Sequence, residues 1–340
     1  MANTPVLLVR VALPLALALA SQPLTGQDLS ASRLRLKDTV PVHSQDLGPL
    51  ILQVPVKCDA DANVYLRKYQ LTDFEATPIV KISQEGKPEA TFEIRSAPGF
   101  EKGAAYDFAV GLQGEVYLLA AKRIGEWHIV KFNPDGRYDS TFTLEPFLEP
   151  RQLAVFPSGE FLVSGKELSE KDKEPTGKLL TAIYDRLGRL MWEVSLPRDV
   201  EAGLEEAQAV ALSLTTAVAA DDGNIYLMRA TASPRVYVIS PGGSVLRRLV
   251  IPPPAEDFRP ITMKTAGGRI AIQFEEDSPA GTGALELFSV VDAQTGEKFA
   301  DYLSTPETGG TFACYTPSGF TFLATRGEPL RLTIIQATPY

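Results

Sequence analysis

One phrase, written six times, constrains this chain more than any other feature. Each copy is a hydrophobic strand, a tight turn and a second strand rich in aromatic and β-branched residues. The copies are VKCDADANVYLR, FAVGLQGEVYLLA, LAVFPSGEFLVSG, AVAADDGNIYLMRA, TMKTAGGRIAIQF and FACYTPSGFTFLAT. Their turns centre on Asn63, Gly114, Gly159, Gly223, Gly268 and Gly319, at intervals of 51, 45, 64, 45 and 51 residues. Recurrence at this period marks a repeat architecture. Glycine suits such turns because left-handed backbone costs it little. If Ala62 matches the glycines instead of Asn63, the first copy shifts by one residue.

A second phrase follows each of the first five copies: a strand, a hairpin turn and another strand. The turns are SQEGKP, NPDGRY, DRLGRL, SPGGSV and AQTGEK. Each unit therefore holds four strands in up-and-down order, the blade of a propeller. The sixth unit has PLRLTIIQA as its third strand and ends at Tyr340 without a fourth. The alternating segment SRLRLKDTVPV, residues 32 to 42, precedes the first blade and is free to supply the missing outer strand. The fold class expected is all-β: a six-bladed β-propeller with four antiparallel strands per blade, closed by an N-terminal strand in the last blade. The long interval contains the charged run GKELSEKDKEPTGK, read as a solvated insertion in blade three, and RDVEAGLEEAQA, read as one helical turn; EEDSPAGTG lengthens blade five.

The first twenty residues read as an export signal. Arg10 gives the positive flank, Val11 to Leu19 is apolar, and Ala18-Leu19-Ala20 offers a cleavage site. The domain reading is a signal peptide at 1–20, a flexible N-terminal segment at 21–31 and the propeller at 32–340. No later stretch reaches eighteen apolar residues, so no membrane span is expected in the mature chain. Secretion or residence in a periplasm follows. Removing Arg10 leaves 32 basic residues against 42 acidic ones. That balance argues against nucleic acid, whose phosphates demand a basic footprint. A monomer is expected.

The chain has two cysteines, Cys58 and Cys314, each five residues before the centre of its turn. They fall on the innermost strands of blades one and six, neighbours once the ring closes. The matching positions elsewhere are Ala109, Ala154, Val218 and Met263, so the site is apolar. In an exported protein, such a pair is a candidate disulfide across the seam. The alternative is two separate buried thiols acting as small hydrophobes.

DDGNIYLM, QGEVYLLA and FNPDGRYDSTF resemble the repeats of six-bladed propellers of the NHL-like and strictosidine-synthase or gluconolactonase-like superfamily. The resemblance runs from about residue 32 to 340 and implies architecture. NHL repeats continue with an acidic residue and an Asn-x-Arg-type turn, which GNIYLMRATASPRV lacks. Metal-dependent lactonases of this fold imply a Glu, Asn and Asp set around calcium in the channel. The inner strands here begin with Asp107, Gln152 and Thr216, but also Ile261 and Phe312.

Other chemistry is sparse. DADAN spaces Asp59, Asp61 and Asn63 like the first ligands of a calcium loop, yet Val64 and Gln70 replace the glycine and glutamate an EF-hand needs, so it reads as a polar turn. The chain has two histidines: His43 is placed in a loop and His128 on an exposed strand position. Neither G-x-S-x-G nor H-E-x-x-H occurs. Trp127 and Trp192 read as packing aromatics. Arg151 and Arg259, just before the inner strands of blades three and five, form with Asp107 a candidate ligand-binding set at the channel mouth. The competing reading pairs the arginines with Glu149 and Asp257.

Two functions remain open. One is a binding or scaffold module for a protein, peptide or glycan, without cofactor or metal. The other is a metal-dependent lactonase-like hydrolase with its site in the central channel. Converging carboxylates and amides in the channel favour the enzyme; small or apolar side chains favour the binder.

Overall fold

The computed structural model describes residues 31–43, 53–68, 78–123, 125–145, 148–169, 175–196, 216–276, 286–328 and 331–339. The signal-peptide reading, most of the 21–31 segment and RDVEAGLEEAQA lie outside them, as does most of EEDSPAGTG.

Among the described residues, twenty-five strands build six sheets. The N-terminal segment contributes β1 (Ser32–Arg33) and β2 (Arg35–Pro41). Blade one is β3 (Gln53–Cys58), β4 (Val64–Arg67), β5 (Ile79–Ile82) and β6 (Pro88–Phe92). Blade two is β7 (Ala104–Val110), β8 (Val116–Arg123), β9 (Glu126–Phe132) and β10 (Tyr138–Thr143). Blade three is β11 (Leu148–Val155), β12 (Phe161–Leu168), β13 (Pro175–Tyr184) and β14 (Leu190–Glu193). Blade four is β15 (Thr216–Ala219), β16 (Ile225–Arg229), β17 (Arg235–Ile239) and β18 (Val245–Val250). Blade five is β19 (Phe258–Ala266), β20 (Arg269–Glu276), β21 (Glu286–Asp292) and β22 (Lys298–Leu303). Blade six is β23 (Thr311–Thr316), β24 (Gly319–Arg326) and β25 (Arg331–Thr338), completed by β2. The innermost strands touch in the cyclic order β3, β7, β11, β15, β19, β23 and back to β3. This is a closed six-bladed propeller.

Burial explains the sequence pattern. Second strands such as β4 and β16 are buried along their whole length, because both faces of a middle strand pack against neighbouring blades. The outer β2 is exposed at nearly every position. The core is accordingly distributed between blades. Phe92, Phe108 and Phe132 join blades one and two; Leu119, Ile129, Leu153 and Phe161 join two and three; Phe288, Phe312 and Phe322 join five and six.

The N-terminal segment closes the ring at three places. β1 adds in parallel to the outer strand of blade five, with Ser32 opposite Tyr302. Leu34, between the two strands, is buried and packs with the core shared by blades five and six. β2 then runs antiparallel to β25, from Arg35 opposite Thr338 to Pro41 opposite Thr333. Finally the His43 amide donates to the Gly86 carbonyl of blade one at 2.7 Å. The expected closure strand is thus divided: its first residues belong to blade five.

Two expectations need correction. Ala62, with φ of 58°, holds the left-handed turn position that glycine holds in the other copies. Its amide bonds to the Asp59 carbonyl as Gly114 bonds to Gly111. Asn63 therefore matches Glu115 and not Gly114. The two ends of the charged run in blade three are strand, with Lys166 opposite Leu179 and Leu168 opposite Pro175, while its centre, residues 170–174, lies outside the described residues.

Four outer hairpin glycines, Gly86, Gly136, Gly188 and Gly243, serve two requirements at once, and the inner hairpin glycine Gly223 only one. Gly136 has φ of 86°, and a Cβ there would run into the carbonyl of Thr91 on the outer strand of the preceding blade. Gly223 has φ of 82° but open space around it. We predict that Gly223→Ala costs about 1 kcal/mol, the left-handed penalty alone, and that Gly136→Ala costs at least about 2 kcal/mol because the blades must also separate. Urea unfolding of the two variants checks the ordering.

Candidate functional site: a filled central channel

An innermost strand has one edge facing the axis, so some of its backbone groups lack a partner in the sheet. Buried groups of this kind are costly unless bonded. In this ring, side chains satisfy them. The register places Lys57, Ala109, Ala154, Val218, Lys264 and Cys314 at one equivalent level, opposite Tyr65, Tyr117, Leu162, Tyr226, Ala271 and Thr321 of the second strands. Two of the six are lysines that reach across the channel.

Lys57 Nζ donates to the Phe108 carbonyl, to the Leu153 carbonyl at 3.4 Å, and pairs with Asp107 at 3.1 Å. Asp107 Oδ2 also accepts the Leu153 amide at 2.8 Å. One ion pair thereby ties the inner strands of blades one, two and three. Lys264 Nζ donates to the Val56 carbonyl and lies over the Phe312 ring, 6.0 Å from its centroid. Burial pushes both ammonium groups below the ordinary lysine range, and Asp107 opposes this at Lys57.

What remains of the channel here is a cavity of about 110 Å³. Its walls are mostly small or aliphatic, with Ala109, Ala154, Ala217 and Val218 among them, together with Lys57, Lys264 and Cys58. Nearby, Gln152 is buried with neither amide atom bonded, and Arg67 donates to the Ala105 carbonyl at 3.2 Å. Among the described residues, no group of three or more His, Cys, Asp and Glu side chains converges to hold a metal.

The cysteines meet at the seam for a different reason from equivalent placement. With Ala62 as the turn residue, Cys58 matches Val110, Val155, Ala219, Thr265 and Tyr315; Cys314 matches Lys57 and Lys264. Met263 matches neither. Side chains at one level all point the same way round the ring, so equivalent cysteines would not face each other. The one-residue offset turns Cys58 back toward blade six. There its sulfur lies 2.6 Å from that of Cys314, both as free thiols, in the core shared by blades one and six.

The arginines of the expected channel mouth each lie beside a carboxylate. Arg151, at a bulge of β11, pairs with Glu149 on its own strand. Arg259, on β19, lies 3.9 Å from Glu275 of β20, not Asp257. Asp107 belongs to the Lys57 pair inside the ring. His128 is buried against Phe100, contrary to the exposed position expected, and burial lowers its pKa. Trp127 packs in the core, whereas Trp192 is half exposed on an outer strand. Asp59 spends both oxygens on its own turn, accepting from the Asp61 and Asn63 amides, Asn63 Nδ2 and the Tyr65 hydroxyl.

No family model matches the chain, and no curated protein matches it. Among solved structures it is similar to a protein of unknown function from Bacteroides caccae, at 14% identity and a TM-score of 0.45, covering 73% of this chain and 80% of that one.

The Lys57–Asp107 pair gives a direct test of the filled channel. Asp107→Asn strands a buried ammonium and should cost about 3 kcal/mol, whereas Lys57→Met with Asp107→Asn should cost clearly less than the two single changes together. Additive costs in urea unfolding would show that the two side chains do not act as a pair.

Proposed function

We propose that this chain is an exported binding or scaffold module, related to the NHL-like propellers, whose loop-bearing face takes a protein, peptide or glycan. One observation carries the reading. At one end of the ring, every connection between strands is a turn of at most five residues. The strand ends joined by all the longer connections, including residues 68–78, 93–103, 194–215 and 277–285, lie at the opposite end. With the channel occupied by its own side chains, the variable surface is this face, and rigid scaffolds carry recognition on such loops. Asp107 already serves Lys57 and the Leu153 amide, so the channel donors suit ring cohesion better than lactone hydrolysis. No helix among the described residues is long and apolar enough to cross a membrane. Export rests on the N-terminal signal pattern.

The charge of the face narrows the ligand. Among the described residues, its connections carry 7 acidic and 3 basic residues, so this face is net acidic. A ligand with basic groups fits this face better than an anionic one.

The experiment is capture of ligands from the envelope and secreted fractions with the mature chain, followed by affinity measurement on those identified. Glu93→Lys, Glu256→Lys and Glu307→Lys together should weaken binding at least tenfold. Asp61→Lys, Gln113→Lys and Glu297→Lys, on the tight-turn face, should leave it unchanged. Binding that responds only to the second set would overturn the reading. N-terminal sequencing of the exported product should begin near Ser21.

A further inference from the structure

The channel and the seam meet at one place. Cys58 lines the cavity, whereas Cys314 is fully buried behind it. Lys264 lines the same cavity, bonded to the carbonyl of Val56, two residues from Cys58. Among the described residues Lys264 pairs with no carboxylate, and of the groups around it the Cys58 sulfur most favours its charged form, ahead of Cys314 and Asp107. The thiol pair is therefore asymmetric: Cys58 belongs to the cavity wall and is only partly buried, and Cys314 beside it is fully buried.

We propose that Cys58 and Cys314 are a peroxide-reactive dithiol, in which Cys58 attacks a small hydroperoxide admitted by the channel cavity and Cys314 resolves the product into a disulfide across the ring seam. The Cys58 proton passes to Lys264. The Cys58 sulfur attacks one oxygen of hydrogen peroxide, the O–O bond breaks, and the departing hydroxide takes that proton and leaves as water. Cys58 is now a sulfenic acid. The Cys314 sulfur attacks it, the S–O bond breaks, and the hydroxide leaves as a second water with the Cys314 proton. Two thiols lose two electrons in total, and one peroxide becomes two waters.

The electrostatics agree with these roles. A hydrogen bond from Cys314, the largest influence, lowers the Cys58 pKa, and Lys264 lowers it further; burial raises that of Cys314 well above the ordinary range. Low-pKa, accessible thiols beside a resolving partner are the ones oxidised selectively. The cavity of about 110 Å³ is large enough for hydrogen peroxide and small beside a tripeptide disulfide. This inference does not depend on the identity of any ligand on the loop face.

The test uses the whole mature chain, first reduced and then treated with equimolar hydrogen peroxide, with free thiols alkylated in denaturant and counted by mass spectrometry. The expected result is loss of both thiols, a cross-linked peptide pair containing Cys58 and Cys314, and a Tm higher by about 10 °C. Oxidised glutathione should leave both thiols free. In Cys314→Ser, Cys58 should stop at a sulfenic acid that dimedone labels, and Lys264→Met should slow that labelling at least tenfold. The proposal is overturned if peroxide leaves both thiols alkylatable, if they oxidise separately without a cross-link, or if dimedone labels Cys314 in Cys58→Ser as fast as Cys58 in Cys314→Ser. It is equally overturned if oxidised glutathione reacts as readily as peroxide.

Discussion

A ring of sheets cut from one chain has a first and a last blade that no peptide bond joins directly. Everything else in this protein depends on how that gap is closed. Here a short N-terminal segment does so by backbone hydrogen bonding to three successive blades: β1 on blade five, β2 on blade six, and the His43 amide on blade one. Each such bond adds only about 1 kcal/mol. Their effect is larger than the sum, because they keep the core between blades six and one from opening. That core holds Val56, Leu66, Ile82, Leu323 and Ile334 as well as the cysteine pair.

The closed ring creates a second problem at its axis, where six strand edges converge and polar groups are buried. The usual polar groups of a strand edge cannot go unbonded there. Lys57 and Lys264 act as long donors that reach carbonyls on other blades, and Asp107 accepts an amide of blade three. The cost is burial of two ammonium groups, partly offset by Asp107 for Lys57 and by the seam sulfurs for Lys264. The channel is thereby a cross-braced interior with a small residual cavity, and the longer connections gather at one end of it.

Much of this was legible in the sequence. The spacing of the turns gave six units, the missing fourth strand pointed to the chain's other end, and most of the outer hairpin glycines fall where both φ and close approach demand them. The failures have local causes. Asn63 looked like the glycine equivalent because asparagine tolerates left-handed backbone, yet Ala62 adopts it, with Asp59 gathering four donors to hold the turn. That slip of one residue hid why the cysteines face each other. It also hid the level shared by Lys57 and Lys264, although a lysine at an alanine position of an inner strand was a visible signal. Arg151 pairs with Glu149, as the competing reading had it, whereas Arg259 lies beside Glu275 of the next strand, a neighbour set by strand pairing that local sequence does not display.

The most direct measurement of this account is hydrogen exchange at the amides of residues 35–41. If β2 closes blade six, those bonded to β25 exchange as slowly as amides in the outer strands of blades two to four, and lose protection only when the whole ring unfolds. Exchange at the rate of an open chain, while the blades stay protected, would contradict the closure and everything built on it.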